Sequence, residues 1–558
     1  MSRKRFLDSL AAIGGLTAMI ALHTGVPAAK ADELADLRAN QQALQQRIDQ
    51  LAAAVNNKPE QQAAVLGGPV VAGAPSIAGS FPRSFLIPGT NTSIAISGYV
   101  KYDATEWFQG GSPGYGSGGS DIYGLASLAS APLNLKGPTG SITAAPAFNP
   151  AKRQYWVFKN TASEARLRFE TRTPTDIGQV TTVIELDNQG CTVDTGICGD
   201  LNNGTFTQLT RLRLGYATVG GFLAGQAFIP VNDNDAHPEL FDFSGDAGYF
   251  GFSRAPWIGY TWQLPYGTSF QVAAVTPAVI AATPIGGLED SCNPTLPVTP
   301  SPGVSNCPGA TAGVVGGTAT GWAINPLKST MPDANFVLRA EQPWGHVQAG
   351  FVLQRESLVD GRFLNQNFIG YGGGLSGNWR PNWFGFSSKD NFGFNSFGGE
   401  GLGHYGNPSG GGEPGTSNGM QTNFGLVGTA CNLSTGVGCY GNAAAGTTGN
   451  SLANAALVST SMIPQRGVEF NYQHWWTPNL RSTISGGWQN NEYNLNLLGR
   501  NAATLNYNRF LTTAHVNIIW SPVSFIDTGF EYFFGERQTV LNQRGQINLL
   551  DYSFKVKF

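Results

Sequence analysis

The residues of this chain best equipped for chemistry are charges, and they fall into two sets. Pro230 to Gly251 carries Asp233, Asp235, Glu239, Asp242 and Asp246 beside the apolar Leu240, Phe241 and Phe243. Arg166, Arg168 and Arg172 alternate with Leu167, Phe169 and Thr171, and Arg211 and Arg213 repeat that spacing further along. A period of two places each arginine set on one face of a strand. Rows of fixed charge suit the sorting of charged solutes rather than the breaking of bonds.

Motifs for covalent chemistry lack their structural frame. Gly110, Ser112 and Gly114 match a nucleophile elbow, and Gly114, Gly116 and Gly119 match a dinucleotide fingerprint. Both lie in one Gly/Ser-rich stretch with no strand–turn–helix context. The six histidines are scattered, no two at i, i+4, which removes the usual basis for a zinc site. His237, His474 and His515 merit a check as acid–base groups, but none has a nucleophile and an orienting acid in sequence reach. The expectation is a protein that is not an enzyme and that carries no metal or cofactor.

Composition narrows the class. Charged residues are 12% of 558, aromatics 11%, glycines number 74 and the net charge is −3. Nothing is basic enough for a nucleic-acid partner. Past the N-terminus no apolar run could cross a bilayer as a helix; the nearest, Phe270 to Ile285, is interrupted by Pro277 and Pro284.

What recurs instead is alternation. Ile94, Ile96, Gly98, Val100 and Tyr102 interleave with Ala95, Ser97, Tyr99, Lys101 and Asp103. The chain ends on Tyr552, Phe554, Val556 and Phe558 interleaved with Ser553, Lys555 and Lys557. One face suits lipid and the other water, which predicts an all-β, transmembrane antiparallel barrel. Compact turns fall at Pro174–Gly178, Val219–Gly221, Leu264–Gly267, Gln342–Gly345, Thr477–Asn479 and Ser521–Val523, and the intervening connections are long. Short turns are assigned to the periplasmic side and long loops to the outside. A hairpin near Phe363–Trp379 and Trp383–Phe397 brings the count to sixteen strands, with eighteen the rival. Trp475, Trp476, Trp520, Phe533 and Phe534 sit near strand ends, where aromatic girdles meet headgroups. A soluble β-sandwich would bury them and leaves the polar strand parity unexplained.

Within a barrel the arginines have one affordable direction. Facing lipid at mid-bilayer costs about 2–4 kcal/mol each, so Arg166, Arg168, Arg172, Arg211 and Arg213 are expected to line the lumen. If Arg172 opposes Gln179 across the turn, Arg166 opposes Glu185 and Arg168 remains the freer charge opposite Val183. Pro230 to Gly251 lies between the fifth and sixth strands. By resemblance to general porins, which fold this loop inward, Leu240, Phe241 and Phe243 would pin it to the wall. Its acids would then face water across from the arginines in a transverse field. A solvated external loop is the alternative.

The N-terminus reads as export machinery. Arg3, Lys4 and Arg5 precede an apolar stretch from Ala11 to Leu22, and Ala29-Lys30-Ala31 offers a cleavage site, so residues 1–31 are expected to be a signal peptide. Over residues 32–58 Leu34, Gln41, Ile48 and Val55 share one heptad position and Leu37, Leu44 and Leu51 the other, the seam of a short periplasmic coiled coil. Three heptads are marginal alone, so a trimer on one axis is the economical source of partners; a helix folded back on its own domain is the alternative. Residues 59–90 read as a flexible linker and 91–558 as the barrel. Six cysteines form three local pairs, Cys191 with Cys198, Cys292 with Cys307 and Cys431 with Cys439, each inside a long connection, which suits disulfide clips in an exported chain.

Several segments carry a family likeness: Ser97-Gly98-Tyr99-Val100-Lys101-Tyr102-Asp103, Ala165 to Thr171 followed by Thr173-Pro174-Thr175-Asp176, Arg211 to Ala217, and Gly225-Gln226 leading to Phe241-Asp242-Phe243. With the coiled-coil start, these make the chain resemble the DcaP-like trimeric porin family. That resemblance implies a homotrimer of sixteen-stranded barrels in the bacterial outer membrane, with its lipid and small permeants as the other partners. The expected function is passive diffusion of small hydrophilic solutes, with a preference for anionic organic molecules. The alternative is a surface barrel that binds or adheres through its long clipped loops.

Overall fold

The computed structural model describes residues 78–558 apart from 111–122, 129–130, 132, 135–155, 191–208, 252, 278–280, 283–326, 330, 360–364, 382–388, 407–419, 423–457 and 499–506. The expected signal peptide, the coiled-coil seam and all six cysteines lie outside the described residues.

The described sheet closes on itself with sixteen antiparallel wall strands. In chain order they are β1 Ser93–Gln109, β2 Arg166–Thr175, β3 Gly178–Gly190, β4 Leu209–Val219, β5 Phe222–Phe228 and β6 Arg254–Leu264. There follow β7 Thr268–Val275, β8 Asp333–Gln342, β9 Gly345–Val359, β10 Asn365–Trp379 and β11 Asn391–Glu400. The last five are β12 Pro464–Thr477, β13 Leu480–Asn491, β14 Asn508–Trp520, β15 Ile526–Thr539 and β16 Arg544–Lys557. Each pairs with its sequence neighbour, and β1 meets β16 in register from Tyr99↔Lys557 to Gln109↔Asn548. The terminal aromatic completes the seam, because Phe558 N–H donates to Gly98 O at 3.0 Å and Phe558 O accepts from Gly98 N–H at 3.2 Å. A closed ladder leaves no wall edge, which is what an apolar solvent demands of a sheet.

The expected alternation is the alternation observed. Along β14 Leu511, Thr513, His515, Asn517 and Ile519 are buried, while Val516, Ile518 and Trp520 are exposed on the outside. Ile96, Val100, Ile258, Leu338, Phe351, Phe470, Ile484 and Phe530 extend the same outer apolar band around the wall. Tight turns close β2–β3 at 176–177, β4–β5 at 220–221 and β12–β13 at 478–479. The connections at this end alternate with those at the other, as the strand parity requires.

Four details depart from the sequence reading. The hairpin between residues 361 and 460 exists, but its second strand starts at Asn391 rather than near Trp383, so its turn spans 380–390. Two connections at the long-loop end are short, 360–364 and 540–543. Phe533 does not join an outer girdle: it is fully buried against Trp107, Leu125 and Leu128, because consecutive strand residues must face opposite ways and Phe534 takes the outside. Residues 78–90, expected as the end of a linker, instead fold against the barrel, with Phe85–Leu86 pairing with Ile94 and Ser93.

Depth dependence tests the lipid-facing assignment. Val516→Arg should destabilise the barrel by about 2–4 kcal/mol in liposomes, while Trp520→Arg near the strand end should cost about 0–1 kcal/mol. Equal costs in a urea titration would contradict the assigned outer face.

Candidate functional site

The segment between β5 and β6 runs across the inside of the barrel. Its residues touch inward-facing side chains of β8 through β15 in sequence: Asp233 at β8 to β10, Ala236 and His237 at β12, Glu239 at β13, Phe241 and Asp242 at β15. The Glu531 carboxylate captures the tip by accepting from the N–H groups of Phe241 at 2.8 Å and Asp242 at 2.9 Å. Lys101 on β1 donates to Phe241 O at 2.6 Å and to Glu164 at 2.6 Å. The return path lies so close to the wall that a Cβ on Gly248, whose φ is +91°, would strike the carbonyls of Val468 and Trp488. Only glycine fits there without strain.

The loop acids are anchors, which corrects the expectation that they face water. Asp233 is 1% exposed and joins Arg339 at 3.0 Å, His346 at 2.7 Å and Ser376 at 2.7 Å. Glu239 forms a two-pronged pair with Arg481 at 2.5 and 2.6 Å. Asp246 is fully buried and accepts from Ser485 and Thr513, with His515 at 3.5 Å. Asp242 accepts from the Gly124 N–H at 2.5 Å and from Ser244. Asp235 alone is largely exposed, and it still meets Arg339 at 2.6 Å. The reason is desolvation: a carboxylate carried inside a barrel must exchange water for donors on the wall.

Their ionisation follows from those partners. Burial would raise Asp233, but hydrogen bonds from His346 and Ser376 and the Arg339 charge outweigh it and hold the carboxyl at about 2. Burial pushes Asp242, which lacks a guanidinium partner, up to about 6. Asp233, Asp235 and His346 bring potential ligand atoms within 4.8 Å of one another. Arg339 already supplies the positive charge a metal would bring, so the trio reads as an ion-pair knot.

The basic wall faces the loop across the lumen, and its register differs from the expected one. The hairpin closes through two residues, with Thr175 opposite Gly178, which sets Arg168 against Glu185 and Arg172 against Thr181. Arg168 is therefore no freer charge: it contacts Glu170 at 3.1 Å and Glu185 at 3.6 Å. Arg172 pairs with Glu170 at 2.7 Å and covers the Phe81 ring, away from the loop tip. Arg211 binds Asp187 at 2.7 Å. At a bulge, where the register slips between Glu185 and Leu186, Arg213 turns inward to Glu185 at 2.9 Å and Asp187 at 3.1 Å. Arg166 has one distant carboxylate, Glu185 at 3.8 Å, and its buried Nε has no acceptor.

Between loop and wall lies a cavity of about 250 Å³. Arg166, Arg213, Lys101 and Lys555 reach it together with Tyr99, Leu240 and Phe243. Phe243 bridges the two sides, with the guanidiniums of Arg213 and Arg166 at 5.0 and 5.6 Å from its ring. Two features escaped the sequence reading. Arg254, the first residue of β6, lies over Phe228 at 5.3 Å and has no ion pair among the described residues. Lys555 sits 5.5 Å from the Tyr99 ring across the barrel seam. Strand parity signals Lys101 and Lys555; their meeting with Arg166 depends on closure.

Comparison with known proteins agrees with this architecture. Residues 461–556 match the family model described as DcaP outer membrane protein, and residues 83–236 match that of the Porin subfamily. The outer membrane channel DcaP of Acinetobacter baumannii superposes with a TM-score of 0.53 at 17% identity, over 85% of this chain and 100% of that one. These two segments of the barrel resemble the DcaP and Porin families. An anion-selective porin from Comamonas acidovorans and OmpT of Vibrio cholerae give TM-scores of 0.42 and 0.40, each at 8% identity. They cover 84% of this chain and 100% and 98% of their own, likenesses too slight to bear on selectivity. No curated protein sequence matches.

In this barrel the three histidines singled out above each meet a carboxylate: His237 with Glu469, His474 with Asp390 and His515 with Glu531. Sequence separation hid the pairs of His237 and His474, whose partners lie 232 and 84 residues away, whereas His515 and Glu531 meet across one hairpin.

The Asp233 knot yields a signed pH prediction. Its folded carboxyl lies below the ordinary 3.8, so its stabilisation is complete above about pH 4 and is lost as pH falls towards 2. Asp233→Asn should cost roughly 2 kcal/mol at pH 7, with parent and variant converging near pH 2 in chemical unfolding. A difference that persists unchanged at pH 2 would remove the ion-pair explanation.

Proposed function

We propose that the barrel is a passive diffusion porin whose narrow zone favours small anionic organic solutes. The observation that carries this reading is an asymmetry at the loop. Four of its five carboxylates, all but Asp242, meet wall donors, while across the lumen five arginines, Arg166, Arg168, Arg172, Arg211 and Arg213, share Glu170, Glu185 and Asp187. Lys101, Arg166, Arg213 and Lys555 line the cavity against the carboxylates of Glu164, Asp242 and Glu469, with aromatic surface from Tyr99 and Phe243 beside them. Cationic groups in a constriction lower the barrier for anions and raise it for cations. Apolar ring faces accommodate the carbon skeleton of an organic anion.

Reversal potentials across a salt gradient in planar bilayers test the proposal. The parent should pass anions preferentially, and Arg166→Ala should reduce the anion-to-cation permeability ratio about threefold or more, a barrier change of roughly 0.7 kcal/mol. Cation selectivity that Arg166→Ala and Arg254→Ala both leave unchanged would end the anion reading.

We also propose that the working form is a homotrimer in the outer membrane, with residues 32–58 as a periplasmic three-stranded coil. The heptad seam of Leu34, Leu37, Leu44, Ile48, Leu51 and Val55 supports it, since such a short helix needs partners. Deleting residues 32–58 should lower trimer yield in detergent by light scattering; an unaltered trimer would make the segment a spacer.

A further inference from the structure

Away from the constriction, the inner wall at the long-loop end holds acid that no cationic side chain compensates among the described residues. Asp333 opens β8 and Glu356 lies near the end of β9. Both are inward by strand parity, at 1% and 0% exposure, and Asn335, the next inward residue of β8, is at 0%. Both side-chain oxygens of Asp333, both of Glu356 and Oδ1 of Asn335 accept no hydrogen bond of ordinary geometry. Among the described residues neither carboxylate forms an ion pair, and the charge of Asp333 acts repulsively on Glu356.

The surroundings are built and closed. The 3-10 turn Gly403–Gly406 covers the acids from the long-loop end, with Leu402 and Tyr405 fully buried. Tyr405 Oη accepts from Asn335 Nδ2 at 2.8 Å, which leaves Asn335 Oδ1 without a hydrogen-bond partner. The same hydroxyl lies towards Asp333, a neutral group that leaves the carboxylate charge uncancelled. Gln354, on the same face of β9, donates to the carbonyls of Gly401 at 3.1 Å and Leu402 at 2.9 Å and so holds the covering turn. A Cβ on Gly370 would collide with the Gly401 carbonyl and meet Glu356 Oε1 at 3.4 Å, which places that carbonyl beside the carboxylate. A carbonyl keeps a second lone pair after accepting one hydrogen bond.

We propose that Asp333, Asn335 and Glu356, with the Gly401 carbonyl, form a divalent-cation site that takes calcium. Two buried carboxylates without a counter-ion are costly, and a doubly charged cation cancels both at once. The donor set is all oxygen and offers no nitrogen or sulfur, which selects hard cations. Calcium accepts six to eight oxygens in irregular geometry, whereas magnesium demands a small regular octahedron. The cation would tie β8 and β9 to the turn that covers them, so the site is a clamp on the pore mouth rather than part of the selectivity zone. The competing arrangement is a pair of acids kept neutral by protons.

Terbium luminescence on the folded full-length barrel, stripped with chelator, separates the two. Tyr405, hydrogen-bonded to a proposed ligand, serves as sensitiser. We expect emission that calcium displaces, with Glu356→Gln and Asp333→Asn each weakening the calcium competition about tenfold or more, since affinity follows ligand charge. Calcium should also raise the melting temperature of the parent and leave that of both variants unmoved. If either variant fails to fold, the other supplies the comparison. Emission absent from the parent, or retained at parental affinity in a folded variant, overturns the proposal in favour of protonated acids.

Discussion

Polar groups in this molecule can find partners in only one direction, and most of what the structure does follows from that. The outer face of the wall is apolar from Ile96 round to Phe530, and lipid offers no hydrogen bonds. The backbone therefore closes its own ladder through Phe558 and Gly98. Charged side chains turn inward, where they must be satisfied by one another or by water. The lumen is the only place on the wall where charge is cheap, so function gathers there.

Bringing a polypeptide loop into that space creates a second demand. The segment from β5 to β6 carries carboxylates and unpaired backbone groups into a crowded interior, and each must be met. Glu531 accepts from two backbone N–H groups, Lys101 donates to a carbonyl, Arg339 and Arg481 neutralise acids, and His346 hydrogen-bonds Asp233. The wall opposite the arginines is accordingly specialised for holding, with wall histidines and carboxylates spread over β9 to β15. One consequence is electrostatic: holding the loop pairs Asp233, Asp235 and Glu239 with arginines of the wall. On the proposed function, anchoring and selectivity are two results of one set of ion pairs.

The same rule of compensation distinguishes the two acidic groups inside the barrel. The Asp233 knot has its cation built in as Arg339. The Asp333 and Glu356 pair has none among the described residues, and its neighbours donate to one another or to backbone carbonyls instead. Acids of similar burial therefore differ in what they require from outside the chain.

Local pattern alone determined the barrel. Period-two alternation and turn spacing require only neighbouring residues, so Ile94 to Asp103, the inward arginines and the sixteen strands were legible in the amino-acid sequence itself. The outward or inward sense of Arg166 follows from its own strand, because lipid penalises the wrong choice. Register, partner and compensation were decided by tertiary structure. A two-residue turn moved Glu185 opposite Arg168, a bulge swung Arg213 inward, and closure of β1 on β16 brought Lys555 to Tyr99. The fate of the loop acids lay furthest from view, because Asp233 meets His346 and Glu239 meets Arg481 across more than a hundred residues. A charge shows in sequence, but whether it stays available depends on what the fold places within about 3 Å of it.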